Sequence, residues 1–215
     1  SHKEGVPGAL GALEPLMELP GAFVLGSNDY YSPKPINPLK YFSGPSTITP
    51  TRPMLDWEPL AHGMSDNGWL DLTNTQVDWN VNGRLISVKG VDDPHIGRDD
   101  YAGITNSFNE QADLTLGVVH APYLRVLDAM AADNAQLILA GHTHGGQVRV
   151  PGYGALVTNC DLDTARASGL SQHQGSALHV SAGLGCSRYA PFRFACPPEA
   201  TLITLKPRSS HLEWS

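Results

Sequence analysis

Residues 114–146 read LTLGVVHAPYLRVLDAMAADNAQLILAGHTHGG, and this stretch decides the fold. Leu114 to Val119 is an apolar, partly β-branched run, the pattern of a strand buried on both faces. Pro122 suits the first turn of a helix, and residues 123–132 follow with a helical pattern. A second buried-strand pattern occupies 136–140. Strand, helix and strand in that order make a parallel βαβ unit, so the expected class is α/β. Functional loops of such sheets lie beyond the carboxyl ends of the strands. Both strand ends here carry histidine: His120 after the first, His142 and His144 in the turn Gly141-His142-Thr143-His144-Gly145-Gly146 after the second.

Neutral imidazole is the commonest metal-binding side chain. In a regular strand two histidines at i and i+2 share a face, whereas in a glycine-flanked turn they can diverge towards two metals. His120 alone reads as a satisfied core or loop histidine; beside His142 and His144 it becomes a candidate ligand. Because both strands end on one edge, His120 and His142 are expected to converge although 22 residues separate them. A third strand end lies upstream, where residues 22–25 run into Gly26-Ser27-Asn28-Asp29-Tyr30-Tyr31. Asn and Asp supply hard oxygen donors, but Gly, Ser, Asn and Asp are also the ordinary residues of a turn.

In this order the three pieces resemble the calcineurin-like metallophosphoesterases. That family carries D-x-H, G-D-x-x-[DN], G-N-[HD], a lone His after a strand, and G-H-x-H along its chain. The last two stand here as Val118-Val119-His120 and Gly141-His142-Thr143-His144. The form G-H-T-H-G-G-Q, closed by Gln147, resembles the branch containing bacterial cell-envelope-associated phosphodiesterases. The resemblance covers residues 21–205 and implies a four-layer α/β/β/α sandwich, with 1–215 as part of a single domain. It implies hydrolysis of a phosphodiester or phosphomonoester by metal-activated water at a dinuclear site. Two divalent metals about 3.5–4 Å apart would supply both the nucleophile and a sink for phosphoryl charge. The implied ligands are Asn28, His120 and His142 for one metal and His144 for the other, with Asp29 beside Asn28 as the candidate catalytic residue. Mixed His, Asn and Asp ligation suits Mn²⁺, Fe²⁺ or Zn²⁺ rather than Ca²⁺. A gapless match to G-N-H-D sets Ser27 at the ligand position and Asn28 at the His; a shift of one residue restores Asn28, whose amide oxygen is the better ligand. The family's usual general-acid His is missing in either register.

The departures are as informative as the match. No Gly-Asp dipeptide occurs. One D-x-H triple exists, Asp93-Pro94-His95, but it follows the Asn28 motif instead of preceding it, and it reads as a turn. With Ser1 standing directly before a helical stretch, the chain reads as a carboxyl-terminal part that lacks the first β-α-β portion and has impaired activity. That reading also expects the strands at 22–25 and 114–119 to share a sheet with an unpaired edge. A reading of a different class is a degenerate domain that binds one metal or none and acts as an interaction module. Amidohydrolases also use H-x-H, but after an early barrel strand, and its late position here argues against them.

The 215 residues suffice for one domain with a substantial core. A net charge of -7 argues against a nucleic-acid footprint. No apolar run approaches the roughly 18–20 residues of a membrane span. Cys160, Cys186 and Cys196 are too scattered for a disulfide framework and read as small buried residues, which fits a reducing cytoplasm; the branch resemblance adds the periphery of the cell envelope.

Elsewhere the pattern predicts a helix over 5–19 with Pro15 as a blemish, a long loop over 32–50, and a helix from Thr51 to about His62. A β-meander follows over 69–72, 76–79 and 84–89, with Asn82-Gly83 as a hairpin turn. Further strands are expected at 154–158, 177–181 and 200–205. His2, His62, His173 and His211 read as surface residues and His179 as a strand residue. Arg193, between Phe192 and Phe194, reads as the polar face of a strand, with a phosphate contact as the alternative.

Overall fold

The structure is a computed structural model that describes residues 5–33, 52–186 and 191–206. In chain order the helices are α1 (Gly5–Met17), the one-turn α2 (Ser27–Tyr30), α3 (Glu58–Asp66) and α4 (Leu124–Ala132). The strands are β1 (Ala22–Phe23), β2 (Leu70–Asp71), β3 (Thr75–Val81), β4 (Arg84–Val91), β5 (Leu114–Val119) and β6 (Leu137–Ala140), then β7 (Arg149–Val150), β8 (Gly154–Ala155), β9 (Gly169–His173) and β10 (Ser176–Val180).

Six strands form the central sheet in the order β3-β4-β5-β6-β10-β9. The inner four, β4, β5, β6 and β10, are parallel, while β3 and β9 close the two edges antiparallel. The fold is therefore mixed α/β, with β5-α4-β6 as the expected parallel unit. Val91 pairs with Val119 and Val119 with Ala140, so three strands end at one level. The chain segments after them (92–95, His120 and 141–144) leave from a common edge.

The β3–β4 hairpin turns on Asn82 (φ 51°) and Gly83 (φ 79°), the two positive values that a type I′ turn requires. Two apolar clusters support the architecture. Val91, Val119, Val126, Leu127, Met130, Ile138, Leu178 and Val180 pack the sheet against α4. Met17, Phe23, Leu25, Tyr30, Ala61 and Met64 join α1, α3 and the Gly26 segment.

Several expectations need correction. Residues 22–25 do not join the sheet of β5; β1 is two residues long and pairs in parallel with β2. Nor is β5 an edge, because β4 and β6 flank it. α3 starts at Glu58, seven residues beyond the expected start at Thr51, with Pro59 in its first turn. Residues 200–206 form no strand. β9, Gly-Leu-Ser-Gln-His, carries almost no apolar signal; it exists because β10 offers it an antiparallel partner. His173 in β9 is buried, not a surface residue, and Cys186 is exposed, not buried. The expected loop over 32–50 beyond Pro33, Thr51, His2 and His211 lie outside the described residues.

Candidate metal centre

The histidine loop is held in an unusual backbone conformation. His142 (φ 68°), His144 (φ 51°) and Gln147 (φ 50°) all have positive φ, as do Gly145 and Gly146 between them. Such conformations cost non-glycine residues of order 1–3 kcal/mol each and cluster at functional sites. Surrounding bonds hold the loop in place. The buried Thr143 hydroxyl donates to the Ala167 carbonyl at 2.6 Å and accepts from the Gly145 amide at 3.1 Å. The Gly141 amide donates to the His120 carbonyl at 2.9 Å, tying the two strand ends together.

The imidazoles converge. The rings of His120 and His142 stand edge to face with centroids 5.3 Å apart. A further histidine joins them: the His95 ring lies 4.6 Å from that of His142. Three of the four histidines have one ring nitrogen engaged nearby. His142 Nε2 faces the Asn159 carbonyl at 3.3 Å, His144 Nδ1 faces Gln147 Oε1 at 3.2 Å, and His95 Nδ1 faces the Tyr123 hydroxyl at 3.0 Å.

The Gly26–Asp29 turn is packed directly on this group. A Cβ on Gly26 would sit 2.5 Å from His120 Cε1, so only glycine leaves room for that ring. The Gly26 amide donates to Asp29 Oδ2 at 2.9 Å. Ser27 is buried and Asn28 is exposed. Tyr30 lies in the core, edge-on to Trp57, with the Arg98 guanidinium 4.2 Å above its ring.

The electrostatics favour neutral imidazole. Burial pushes His95 and His120 down to about 4, with Arg52 adding to the first and His144 and His95 to the second. Burial holds His142 well below its ordinary value and lowers His144 as well. Neutral imidazole is the form that binds a metal. Burial also raises the carboxyls of Asp29 and Asp93. Asp93 is pushed up to about 7, the charges of Asp92 and Asp29 adding to the rise while the His95 and Ser27 amides oppose it.

Two residues of this group escaped the sequence reading. Asp93-Pro94-His95 is indeed a turn, a 3-10 turn over Pro94–Ile96 that Asp93 caps by accepting from the His95 amide. It also brings the His95 ring against His142. The visible signal was a carboxylate and an imidazole directly after a strand, the same placement as His120 and His142. Arg193 is placed otherwise than expected: its guanidinium donates to the carbonyls of Ala182, Gly183 and His144, while Phe192 and Phe194 are exposed. It pins the segment after β10 to the histidine loop.

By chemistry this donor set fits a borderline divalent metal. Neutral imidazoles and a buried carboxylate are grouped, and outer partners orient three of the rings. Among the described residues, no three His, Cys, Asp or Glu side chains have their donor atoms arranged to hold an ion.

Two of three known proteins with similar sequences carry the name metallophosphoesterase. The chain is 33% identical over 126 residues to the uncharacterized metallophosphoesterase YkuE of Bacillus subtilis, covering 59% of this chain and 42% of that protein. It is 26% identical over 189 residues to the uncharacterized metallophosphoesterase YkoQ of the same organism, covering 86% and 61%. Relatives so named support a metallophosphoesterase family. A third relative, the uncharacterized B. subtilis protein YpbG, is 30% identical over 139 residues, covering 65% of this chain and 49% of its own. The chain thus spans about half the length of the curated relatives it matches. No family model matches it. No solved structure matches it. No helix among the described residues is long and apolar enough to cross a membrane.

Proposed function

We propose that this chain carries part of the metal centre of a phosphodiesterase. The observation behind the proposal is the group of buried, neutral imidazoles, His120, His142 and His144, gathered where the parallel strands end. In this reading His120 and His142 bind one divalent ion with an oxygen donor from the Ser27-Asn28 turn, and His144 belongs to a second. The metals are Mn²⁺, Fe²⁺ or Zn²⁺, which when bound lower the pKa of a water and clamp phosphoryl oxygens. The calcineurin-like α/β/β/α layering belongs to the same proposal, with the six-stranded sheet as one of its two β layers.

The chain's own residues have separate tasks. The strained loop fixes the backbone from which His142 and His144 project. Gly26 lets the oxygen-bearing turn approach His120 closely. The Asp29 carboxyl, raised by burial and oriented by the Gly26 amide, is the candidate for holding a proton near the leaving oxygen. The substrate class is a phosphodiester, and the B. subtilis names carry the phosphoesterase part of that reading.

The test is hydrolysis of bis-p-nitrophenyl phosphate by the full-length protein with added Mn²⁺. The expected result is turnover that chelator abolishes and metal restores. Tight metal binding without turnover of diesters or monoesters would favour the degenerate module instead.

A further inference from the structure

We infer that Arg193 is a positioning residue of the histidine loop: its guanidinium is saturated by backbone carbonyls, fixes the turn that carries His144, and keeps no donor for a substrate. This role deepens the reading of the histidine cluster as the reactive centre and rests on it.

A guanidinium offers its N–H groups in a rigid planar fork and never loses its charge. In Arg193 each N–H has a carbonyl to meet. Nε donates to Gly185 at 3.1 Å. Nη2 donates to Ala182 at 2.8 Å, to Gly183 at 2.9 Å and also to Gly185. Nη1 donates to His144 at 3.2 Å and to Pro197 at 3.4 Å. A phosphoryl group could bind here only by displacing one of these carbonyls. The cation instead gathers oxygens from the histidine loop, from the chain after β10 and from Pro197, dipoles that would repel one another without a charge between them.

The loop needs such a brace. His144 and Gln147 hold φ of 51° and 50°, and strain of this kind persists only where the surroundings over-determine it. The segment around Arg193 grips both halves of the turn. The buried Cys196 sulfur lies 3.3 Å from the His144 carbonyl and 3.4 Å from that of Gly145. A Cβ on Gly145 would sit 2.7 Å from that sulfur, so the packing there is close. The Phe194 amide donates to the Gln147 carbonyl at 3.0 Å, and the Arg149 amide donates to the Phe194 carbonyl at 3.0 Å. Arg193 adds the tie to the sheet. β10 pairs in parallel with β6, the strand that leads into the turn, with Val180 opposite Ala140. The bond to Ala182, just beyond β10, therefore closes a ring from β6 through the turn and the guanidinium back to β10. A lysine ammonium, a point charge with three donors, cannot span these carbonyls.

The test compares Arg193→Ala and Arg193→Lys in the full-length protein, with Arg84→Ala as a control at an exposed ion pair. Imidazole ¹H–¹⁵N spectra recorded in chelator read the His144 ring directly. Arg193→Ala is expected to move the His144 signals, and guanidinium chloride far below denaturing concentration to return them by refilling the vacated space. Arg193→Lys should stay displaced and Arg84→Ala should match wild type. With Mn²⁺ and bis-p-nitrophenyl phosphate, kcat of Arg193→Ala should fall about tenfold with KM within about twofold, and guanidinium should restore it. Unmoved His144 signals in a folded Arg193→Ala, absence of rescue by guanidinium, or a lysine variant that matches wild type would overturn the role. Failure of both variants to fold would overturn it too, because Arg193 would then serve the whole fold. If the signals move and return while wild type hydrolyses no ester, the phosphoesterase reading fails and the positioning role stands.

Discussion

His142 and His173 both stand at strand ends of one sheet, and the protein satisfies them in opposite ways. His173, on the edge strand β9, has Asp128 Oδ1 2.7 Å from Nε2 and the Arg166 guanidinium 3.4 Å from Nδ1. His142, after the inner strand β6, faces two further imidazoles at ring separations of 4.6 and 5.3 Å. An imidazole paired with a carboxylate is complete within the protein. At His142 the facing groups are other imidazoles, which burial keeps neutral, instead of a carboxylate. Burial alone therefore does not mark a site; the identity of the facing group does.

Replacing one residue of each pair should separate them. In the full-length protein His142→Ala is expected to remove bound metal and lower phosphodiester kcat/KM by about 100-fold or more, beyond the 10–100-fold typical of outer-shell changes. Metal content and initial rates read this out, and His173→Ala should leave both within about twofold. Equal effects of the two variants would erase the contrast.

Gly26→Ala sharpens the same contrast from the other side of the site. Its backbone is extended, φ -118° and ψ 170°, so alanine brings no backbone strain, only a methyl against His120. Metal affinity should fall about tenfold with little change in the midpoint of unfolding, as calorimetry of metal-free and metal-loaded protein would show.

In the metal-free protein the cluster should also set the pH dependence of stability. His95 and His120 titrate near 4 when folded and near 6.5 when unfolded, so the unfolded chain binds more protons between those values. Stability is then present above about pH 6.5 and is lost as the pH falls towards 4. Asp93, raised from 3.8 to about 7, acts in the opposite sense between those values. Two histidines outweigh one carboxyl, so Tm should fall on acidification, and Asp93→Asn should steepen the fall. A flat Tm from pH 6.5 to 4 in chelator would show that the imidazoles are not buried neutral.

The smallest effect belongs to His173→Ala itself. Asp128 is about half-exposed, so solvent relieves the carboxylate left behind. The expected cost is about 1 kcal/mol, read from urea unfolding.

Much of the scaffold was legible because local chemistry dictates it. The apolar runs at β5 and β6 need cover on both faces, and Asn82-Gly83 suits one kind of hairpin turn. The strand-end positions of His120, His142 and His144 followed from the same pattern. β9 was not legible, because its stability comes from a partner and not from its own residues. Asp93-Pro94-His95 was legible as a turn, but nothing local reveals what the turn faces.

The sequence by itself determined the parallel unit and the three histidines at its carboxyl edge, since hydrophobic periodicity and glycine placement act within a few residues. Only the tertiary structure decided that His95 meets His142, that Gly26 touches His120, and that Arg193 serves backbone carbonyls. Those facts depend on strand order and register, and β4 sits beside β5 because a sheet pairs its backbones across long separations that no local pattern records.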